Sequence, residues 1–136
     1  MSELSQLRYT VTPNGIATTF IDQEVVIKNA NYTLVDFDDA GKVFGSTLDG
    51  MEFTMAPSLT GYAVTFVNMA EDGQAELTIS PAATEGITWD NSSTADKGLI
   101  NTKATSKKGD YIKLASLNIT GFWQVIEARG IWAKEP

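Results

Sequence analysis

The chain has 136 residues, 43% of them hydrophobic, which is enough to build one folded domain with a core of its own. It contains neither cysteine nor histidine, and this excludes disulfide bonds, zinc sites made of thiolates or imidazoles, and catalytic groups that depend on either side chain. Ten Lys and Arg residues against seventeen Asp and Glu residues give a net charge of −7, which argues against binding to the phosphate backbone of nucleic acid.

The first part of the chain, residues 1–31, predicts an N-terminal arm followed by the first strands. Its opening, MSELSQLRYT, has no apolar run of signal-peptide length, and no window of the sequence approaches the ~20 apolar residues of a membrane span. Residues 8–12 alternate between polar and apolar before a turn at Pro13-Asn14-Gly15, and residues 16–21 and 23–28 are rich in β-branched side chains. We expect no membrane association and a protein that stays in the compartment where it is made.

Residues 32–81 predict a series of short strands. Turn signals such as Asp49-Gly50 and Asp72-Gly73 divide this stretch at spacings of roughly 8–12 residues, which is typical of an all-β domain. The strand candidates are residues 32–37, 42–44, 52–55, 62–69 and 75–80. Because Asp-Gly supplies the positive φ that a tight turn needs, the sequence predicts that the last two of these pair as a hairpin.

The remainder of the chain continues the same pattern after a less regular stretch that contains residues 86–89. Further strand candidates are residues 98–102, 111–116, 122–128 and 131–132. No segment has the apolar spacing of a helix longer than a turn or two. We therefore predict an all-β fold, an antiparallel jelly-roll-like sandwich or barrel, in which residues 32–136 form the remainder of a single β-sandwich domain.

One acidic loop invites a calcium interpretation. Asp36, Asp38 and Asp39 precede Gly41, and hard cations bind several oxygens from one tight loop. The EF-hand pattern fails, because Ala40 occupies a ligand position. A solvated turn is the simpler prediction, and we expect neither a metal nor another cofactor.

Catalysis without histidine or cysteine would need a pair of carboxylates, as in glycoside hydrolysis. The candidates on or near strands are Glu52, Glu76, Glu85, Asp90 and Glu127. The polar faces of a β domain normally carry such groups, and the sequence indicates no pairing among them. We expect that the protein is not an enzyme.

Two further sets of residues have more than one interpretation. Trp89, Trp123 and Trp132 could close the core with their N–H groups bonded to carbonyls, line a subunit interface, or form a platform on which sugars stack. The cationic run at residues 103–108, KATSKK, predicts a solvated loop that keeps neighbouring sheet edges from pairing.

Several short segments together resemble a small β domain of tailed-bacteriophage structural proteins. In that family a DxGKxF turn is followed by a proline-containing hairpin, an LxIxP strand and a late Gly-x-Trp. The corresponding segments here are DAGKVF at 39–44, EFTMAP at 52–57, GYAVTFV at 61–67, LTISP at 77–81, GDYIKL at 109–114 and GIW at 130–132. The resemblance extends over about residues 32–133.

This resemblance implies a structural virion protein, a capsid cement or decoration subunit that bridges and stabilises neighbouring major capsid proteins. Such a subunit is made in the host cytoplasm and lies on the capsid exterior. Its implied partners are the major capsid protein and further copies of itself, as a dimer or trimer, with no nucleic acid and no membrane. Because related modules occur in tail fibres, the alternative is an adhesin-type domain that binds carbohydrate receptors. The resemblance transfers no catalytic residue.

A cement protein must add buried area across the seams between capsid subunits, and an extended arm could supply part of it. The interface candidates are three residues of the arm, Leu4, Leu7 and Tyr9, and two aromatic residues expected at sheet edges, Phe20 and Trp132.

Overall fold

The computed structural model describes residues 7–11, 17–21, 24–36, 38–58, 61–89, 94–116 and 121–136, with the backbone alone for the first two ranges. The strands are β1 (Leu7–Val11), β2 (Ala17–Ile21), β3 (Val25–Ile27), β4 (Tyr32–Thr33), β5 (Val43–Ser46), β6 (Met51–Thr54), β7 (Ala63–Asn68), β8 (Leu77–Ser80), β9 (Gly86–Thr88), β10 (Leu99–Asn101), β11 (Tyr111–Ala115), β12 (Phe122–Arg129) and β13 (Trp132–Lys134). The helical structure in these ranges is one 3₁₀ turn at Lys103–Thr105. No helix in the described residues is long and apolar enough to cross a membrane.

The strands form three sheets. β1 and β2 make a two-stranded antiparallel hairpin. A five-stranded sheet has the order β13-β10-β8-β6-β4, and a six-stranded sheet has the order β3-β5-β7-β11-β12-β9. β3 falls within the first 31 residues of the chain and pairs with β5 in the six-stranded sheet.

Strands β3 to β8 form a parallel half of the domain. Consecutive strands alternate between the two large sheets, so that β3, β5 and β7 are parallel neighbours in one sheet. In the other sheet, β4, β6 and β8 are parallel neighbours. Parallel strands need a crossover connection, and here a strand of the opposite sheet serves as that crossover.

Strands β10 to β13 form a mostly antiparallel half. β11 pairs antiparallel with β7 and with β12, and β10 pairs antiparallel with β8 and with β13. β9 adds to β12 in parallel at the edge of the six-stranded sheet. We refer to these two parts as the parallel half and the antiparallel half.

The hydrophobic core lies between the two large sheets. Side chains alternate between inner and outer faces of each strand, and in β7 Val64 and Phe66 are buried while their neighbours are partly exposed. Phe53 of the five-stranded sheet meets Phe44 and Phe66 of the six-stranded sheet, with ring centroids 5.5 and 5.1 Å apart. Aromatic contacts across the layers therefore hold the two sheets face to face.

A buried amide cluster connects the two large sheets where β10 of the antiparallel half meets the end of β7. Asn68 Nδ2 donates to Asn101 Oδ1 over 2.8 Å, and Asn101 Nδ2 donates to Asp110 Oδ2 over 3.1 Å. Asn68 also donates to the carbonyl of Ala75, and Asn101 to the carbonyl of Ile131. All three polar side chains are almost fully buried, so their hydrogen bonds are needed to offset lost hydration.

The all-β prediction is confirmed, but the antiparallel arrangement is wrong, because both large sheets are mixed. In the described strands neither sheet closes into a barrel. The prediction of a hairpin across Asp72-Gly73 is also wrong. Gly73 has the expected positive φ of 72°, but β7 and β8 lie in different sheets and do not pair. Turn chemistry specifies the local bend and leaves open whether the flanking strands pair or separate into two layers.

Candidate functional site

The outer face of the six-stranded sheet changes from apolar to polar along one row of side chains. The register places Val25 beside Val43, then Thr65, Lys113 and Glu127. Thr65 and Lys113 each lie between two buried residues and so face away from the core. The register places Val25, Val43 and Glu127 on the same face. The row begins with two valines in the parallel half and ends with an opposite-charge pair in the antiparallel half.

A second row of side chains runs beside the first and also changes from apolar at β3 to charged at β12. It consists of Ile27, Gly45, Val67, Tyr111 and Arg129. The face thus has an apolar end at β3 and a charged end at β12.

The polar end of this face contains an open depression of about 330 Å³ lined by Thr65, Val67, Tyr111, Lys113 and Glu127. The Tyr111 hydroxyl donates a hydrogen bond to Glu127 Oε2. This hydrogen bond, with smaller contributions from burial and the charge of Glu127, raises the pKa of Tyr111. The bond holds the two side chains across neighbouring strands and so shapes one wall of the depression.

The apolar end of the face is unusually exposed. Val25 is 62% exposed and Ile27 is 54% exposed, although both are large aliphatic side chains on a regular strand. Beside them, a Cβ on Gly45 would lie 2.3 Å from Met69 Sδ and 3.3 Å from Ile27 Cδ1. Glycine therefore allows Met69 and Ile27 to approach over β5, and apolar surface continues from the edge strand onto its neighbour.

The predicted solvated turn at residues 36–41 is wrong for Asp39, which is only 3% exposed. Asp39 Oδ2 accepts hydrogen bonds of 2.7 Å from the Tyr32 hydroxyl and from the Val35 amide, and Oδ1 accepts one of 3.1 Å from Lys42. Asp36 accepts a hydrogen bond from the Tyr62 hydroxyl. No group of three or more acidic side chains in the described residues could hold a metal ion.

Electrostatics within this Asp39 cluster shift two pKa values. Burial, followed by the hydrogen bond and charge of Asp39 and the charge of Asp38, raises the pKa of Tyr32 to about 12. Burial lowers the pKa of Lys42, but the hydrogen bonds and charges of Asp39 and Glu24 outweigh it and leave that pKa raised. The cluster therefore keeps Lys42 charged and Tyr32 protonated.

Three of the five carboxylates considered for catalysis, those of Glu52, Glu85 and Glu127, accept hydrogen bonds from separate neighbours. Ser80 Oγ lies 2.6 Å from Glu52 and 3.3 Å from Glu135, and its single hydrogen is directed to Glu52 by the shorter distance. Glu85 accepts hydrogen bonds from the amide and the hydroxyl of Ser58. Glu127 is bonded to Tyr111, the Glu76 amide donates to Asp49, and Asp90 lies outside the described residues. Sequence reasoning missed Glu135, because nothing in the KEP terminus indicates that it approaches β8.

The tryptophans do not form an exposed platform of three rings. Trp123 is fully buried and donates its indole N–H to the carbonyl of Ala56, and Trp132 is 7% exposed and donates to the carbonyl of Arg129. Trp89 is partly buried against the core. Two of the three rings thus close the core, which was the first of the three interpretations.

Four of the five predicted interface residues lie where their side chains are not described. Leu4 is outside the described residues, Leu7 and Tyr9 are in β1, and Phe20 is in β2 opposite Arg8. Trp132 is in β13 at an edge of the five-stranded sheet, but its ring is directed into the core. Their role in an interface remains a prediction.

The exposed pair Val25 and Ile27 was missed as a surface feature. Their apolar run, VVI between two charged residues, is visible in the sequence, but the same pattern describes a buried strand equally well. Only the strand order reveals that β3 lies at an edge.

Comparison with known proteins does not assign the chain to a family. A scan against protein-family models finds no match, and a search of curated proteins finds no similar sequence.

Proposed function

We propose that the protein is a structural virion component, a capsid cement or decoration subunit with a jelly-roll-like β scaffold that bridges major capsid proteins on the capsid exterior. The proposal is for a structural role and not for an enzyme. The observation that supports it most is the resemblance of residues 32–133 to a β domain of tailed-bacteriophage structural proteins.

The positions of the resembling segments support a shared scaffold. DAGKVF, EFTMAP and GYAVTFV contain Phe44, Phe53 and Phe66, whose rings meet at the centre of the core. LTISP contains Leu77 and Ile79, which are also buried in that core. The similarity therefore concerns residues that build the domain, as expected if members of the family share a fold and differ in their contact surfaces.

The surface also supports an associating protein. Exposed large apolar side chains lie toward both ends of the six-stranded sheet: Val25 and Ile27 are on its edge strand β3, and Ile126 and Ile131 are in and just after β12. Val35 is also exposed and follows β4, an edge strand of the five-stranded sheet. Apolar side chains exposed in groups at sheet edges are typical of surfaces that other proteins cover. A subunit that bridges two neighbours needs more than one such surface.

The test is co-sedimentation of the purified protein with empty shells of the major capsid protein that its virus encodes. The expected result is saturable binding at a fixed number of copies per shell, together with an increase in the temperature at which the shells come apart. A double variant, Ile126→Lys with Ile131→Lys, would identify whether that end contacts the shell, since neither side chain is in the core. Absence of binding, with the protein found at the tail of purified virions, would contradict the cement role.

One observation favours the second candidate, an adhesin-type domain that binds carbohydrate. The depression beside Tyr111 combines an aromatic ring with the polar side chains of Thr65, Lys113 and Glu127, a lining that suits a polar ligand better than an apolar one. Titration with host surface polysaccharide tests it. The expected result for this candidate is binding that Tyr111→Ala abolishes and that Trp89→Phe leaves intact; no binding to any host polysaccharide would contradict it.

A further inference from the structure

We propose that β3 is a dimerisation edge, along which a second copy of the chain adds its own β3 antiparallel to the first across a two-fold axis. The two six-stranded sheets would become one continuous twelve-stranded sheet. This inference goes beyond the proposed function, because such a dimer would form whether or not the protein binds a capsid.

The backbone of β3 directs N–H and C=O groups to its outer side, where no strand of the described residues pairs with it. The Val43 amide donates to the Glu24 carbonyl, and the Lys28 amide donates to the Gly45 carbonyl, each over 2.9 Å. Because alternate residues of a strand direct their backbone groups to opposite sides, Val25 and Ile27 direct theirs away from β5. β3 is the last strand in the order of its sheet, and among the described strands none pairs with this side.

The outward N–H and C=O groups of Val25 and Ile27 can pair with the same groups of a second copy. If Val26 lies opposite Val26 of the second copy, Val25 lies opposite Ile27, and the two residues exchange N–H···O=C bonds in both directions. The two-fold axis repeats this pair, so that four backbone hydrogen bonds form. The same register places the exposed side chains of Val25 and Ile27 beside each other on the outer face, where each would cover apolar surface of the other copy.

The flanking charges fit the same register. Glu24 and Lys28 lie at equal distances from Val26, so that each Glu24 would face a Lys28 of the second copy. Within one chain, Glu24 lies 3.6 Å from Lys42, and the Lys28 ammonium lies 3.9 Å from the centre of the Tyr32 ring. Both charged groups are therefore held near the ends of β3. Opposite charges facing each other across an antiparallel pair favour this alignment, and a shift by two residues would lose it.

The principal test measures the mass of the full chain by sedimentation over a wide concentration range. We expect a monomer–dimer equilibrium that the double variant Val25→Lys with Ile27→Lys abolishes, because it places like charges opposite each other twice. The matched control is Ile126→Lys with Ile131→Lys, which changes two similarly exposed aliphatic residues in and just after β12, a strand that does not neighbour β3, and should leave the dimer intact. Since all four side chains are exposed, the variants should unfold at nearly the same denaturant concentration as the original protein.

Charge reversal and cross-linking test the register. Lys28→Glu should weaken the dimer by placing two carboxylates opposite each other, and the further change Glu24→Lys should restore it. The chain has no cysteine, so Val26→Cys creates a single thiol that should form an intermolecular disulfide under mild oxidation, whereas Ile126→Cys should not. Cross-linking of both thiols to the same extent would contradict the register.

Three outcomes would overturn the proposal. If the chain is monomeric at every concentration, then this edge does not pair with a second copy, and it is covered by the N-terminal hairpin or binds another protein. A trimer is incompatible with a two-fold axis at β3. A dimer that survives the Val25→Lys, Ile27→Lys variant uses a different surface.

Discussion

Each half of the domain contains members of a buried polar cluster, and the two clusters differ in how far apart in the sequence their members lie. In the parallel half, Asp39 binds Tyr32, Val35 and Lys42, all within seven residues of it in the sequence. In the antiparallel half, Asn101 binds Asp110 and the carbonyl of Ile131, and it also reaches Asn68 at the end of β7 in the parallel half, 33 residues away. A local cluster stabilises one turn, whereas a long-range cluster fixes the positions of several strands relative to each other. We therefore expect the antiparallel half to be more sensitive to single substitutions.

The largest effect is expected for Asn101→Ala. The change removes the bonds to Asn68, Asp110 and the Ile131 carbonyl. Asn68 keeps its bond to the Ala75 carbonyl and Asp110 keeps the Lys107 amide, but each loses a buried hydrogen bond. We expect the free energy of unfolding to fall by about 3–4 kcal/mol, measured by urea denaturation. The control is Asn29→Ala, at an exposed bend, which should change it by less than about 0.5 kcal/mol. A loss for Asn101→Ala as small as that of the control would show that water replaces the cluster readily.

Two glycine substitutions compare the halves in another way. A Cβ on Gly98, just before β10, would lie 1.9 Å from the backbone carbonyl oxygen of Ile79, whereas a Cβ on Gly45 in β5 meets the flexible side chain of Met69. Because a paired strand cannot move aside as a methionine side chain can, Gly98→Ala should cost about 3 kcal/mol and Gly45→Ala about 1 kcal/mol. Thermal unfolding of both variants measures the difference. Equal costs would mean that β8 and β10 can separate as easily as Met69 turns away.

These contacts also indicate how far the sequence predicts the structure. Alternating residues such as those of β7 and β8 identified most strands, because a half-buried strand needs that alternation in any sheet. The alternation contains no information on strand direction or on the partner strand, and so the parallel half was missed. The clusters were missed for a related reason: Asp39 looks like any acidic turn residue, and Asn68 and Asn101 meet only when strands of both sheets pack together.

A third prediction concerns the local cluster and alkaline pH. The pKa of Tyr32 is raised to about 12 from an ordinary value of 10.0, so between these values the unfolded chain loses a proton that the folded chain keeps. The contribution of Tyr32 to stability is therefore complete below pH 10 and is lost as the pH rises through 12. Asp39→Asn should lower this pKa but leave it above 10.0, because burial is the largest cause of the shift and remains.

The measurement is the ultraviolet absorbance of tyrosinate as a function of pH. The chain has four tyrosines, and so Tyr32→Phe serves as the control that identifies which step of the titration belongs to this residue. An unchanged titration of Tyr32 in the Asp39→Asn variant would mean that the carboxylate does not contribute to the shift.

The smallest effect is expected at the exposed ion pairs between the cationic run at residues 103–108 and the turn between β7 and β8. In the cationic run, Lys108 pairs with Glu71 at 3.0 Å and Lys107 with Asp72 at 3.7 Å, and all four side chains are mostly exposed. The loop is thus exposed as predicted except at Ser106, which is buried, and its Lys107 and Lys108 side chains face the turn between β7 and β8. Exposed ion pairs are screened and lose side-chain entropy, so Lys108→Ala should change the free energy of unfolding by less than about 0.5 kcal/mol.

Raising the salt concentration should remove even this difference in urea denaturation. A larger loss that persists in salt would imply that the Lys108 amide, which donates to Asp72, is displaced together with the side chain. That result would extend the sensitivity of the antiparallel half from its buried amides to its surface.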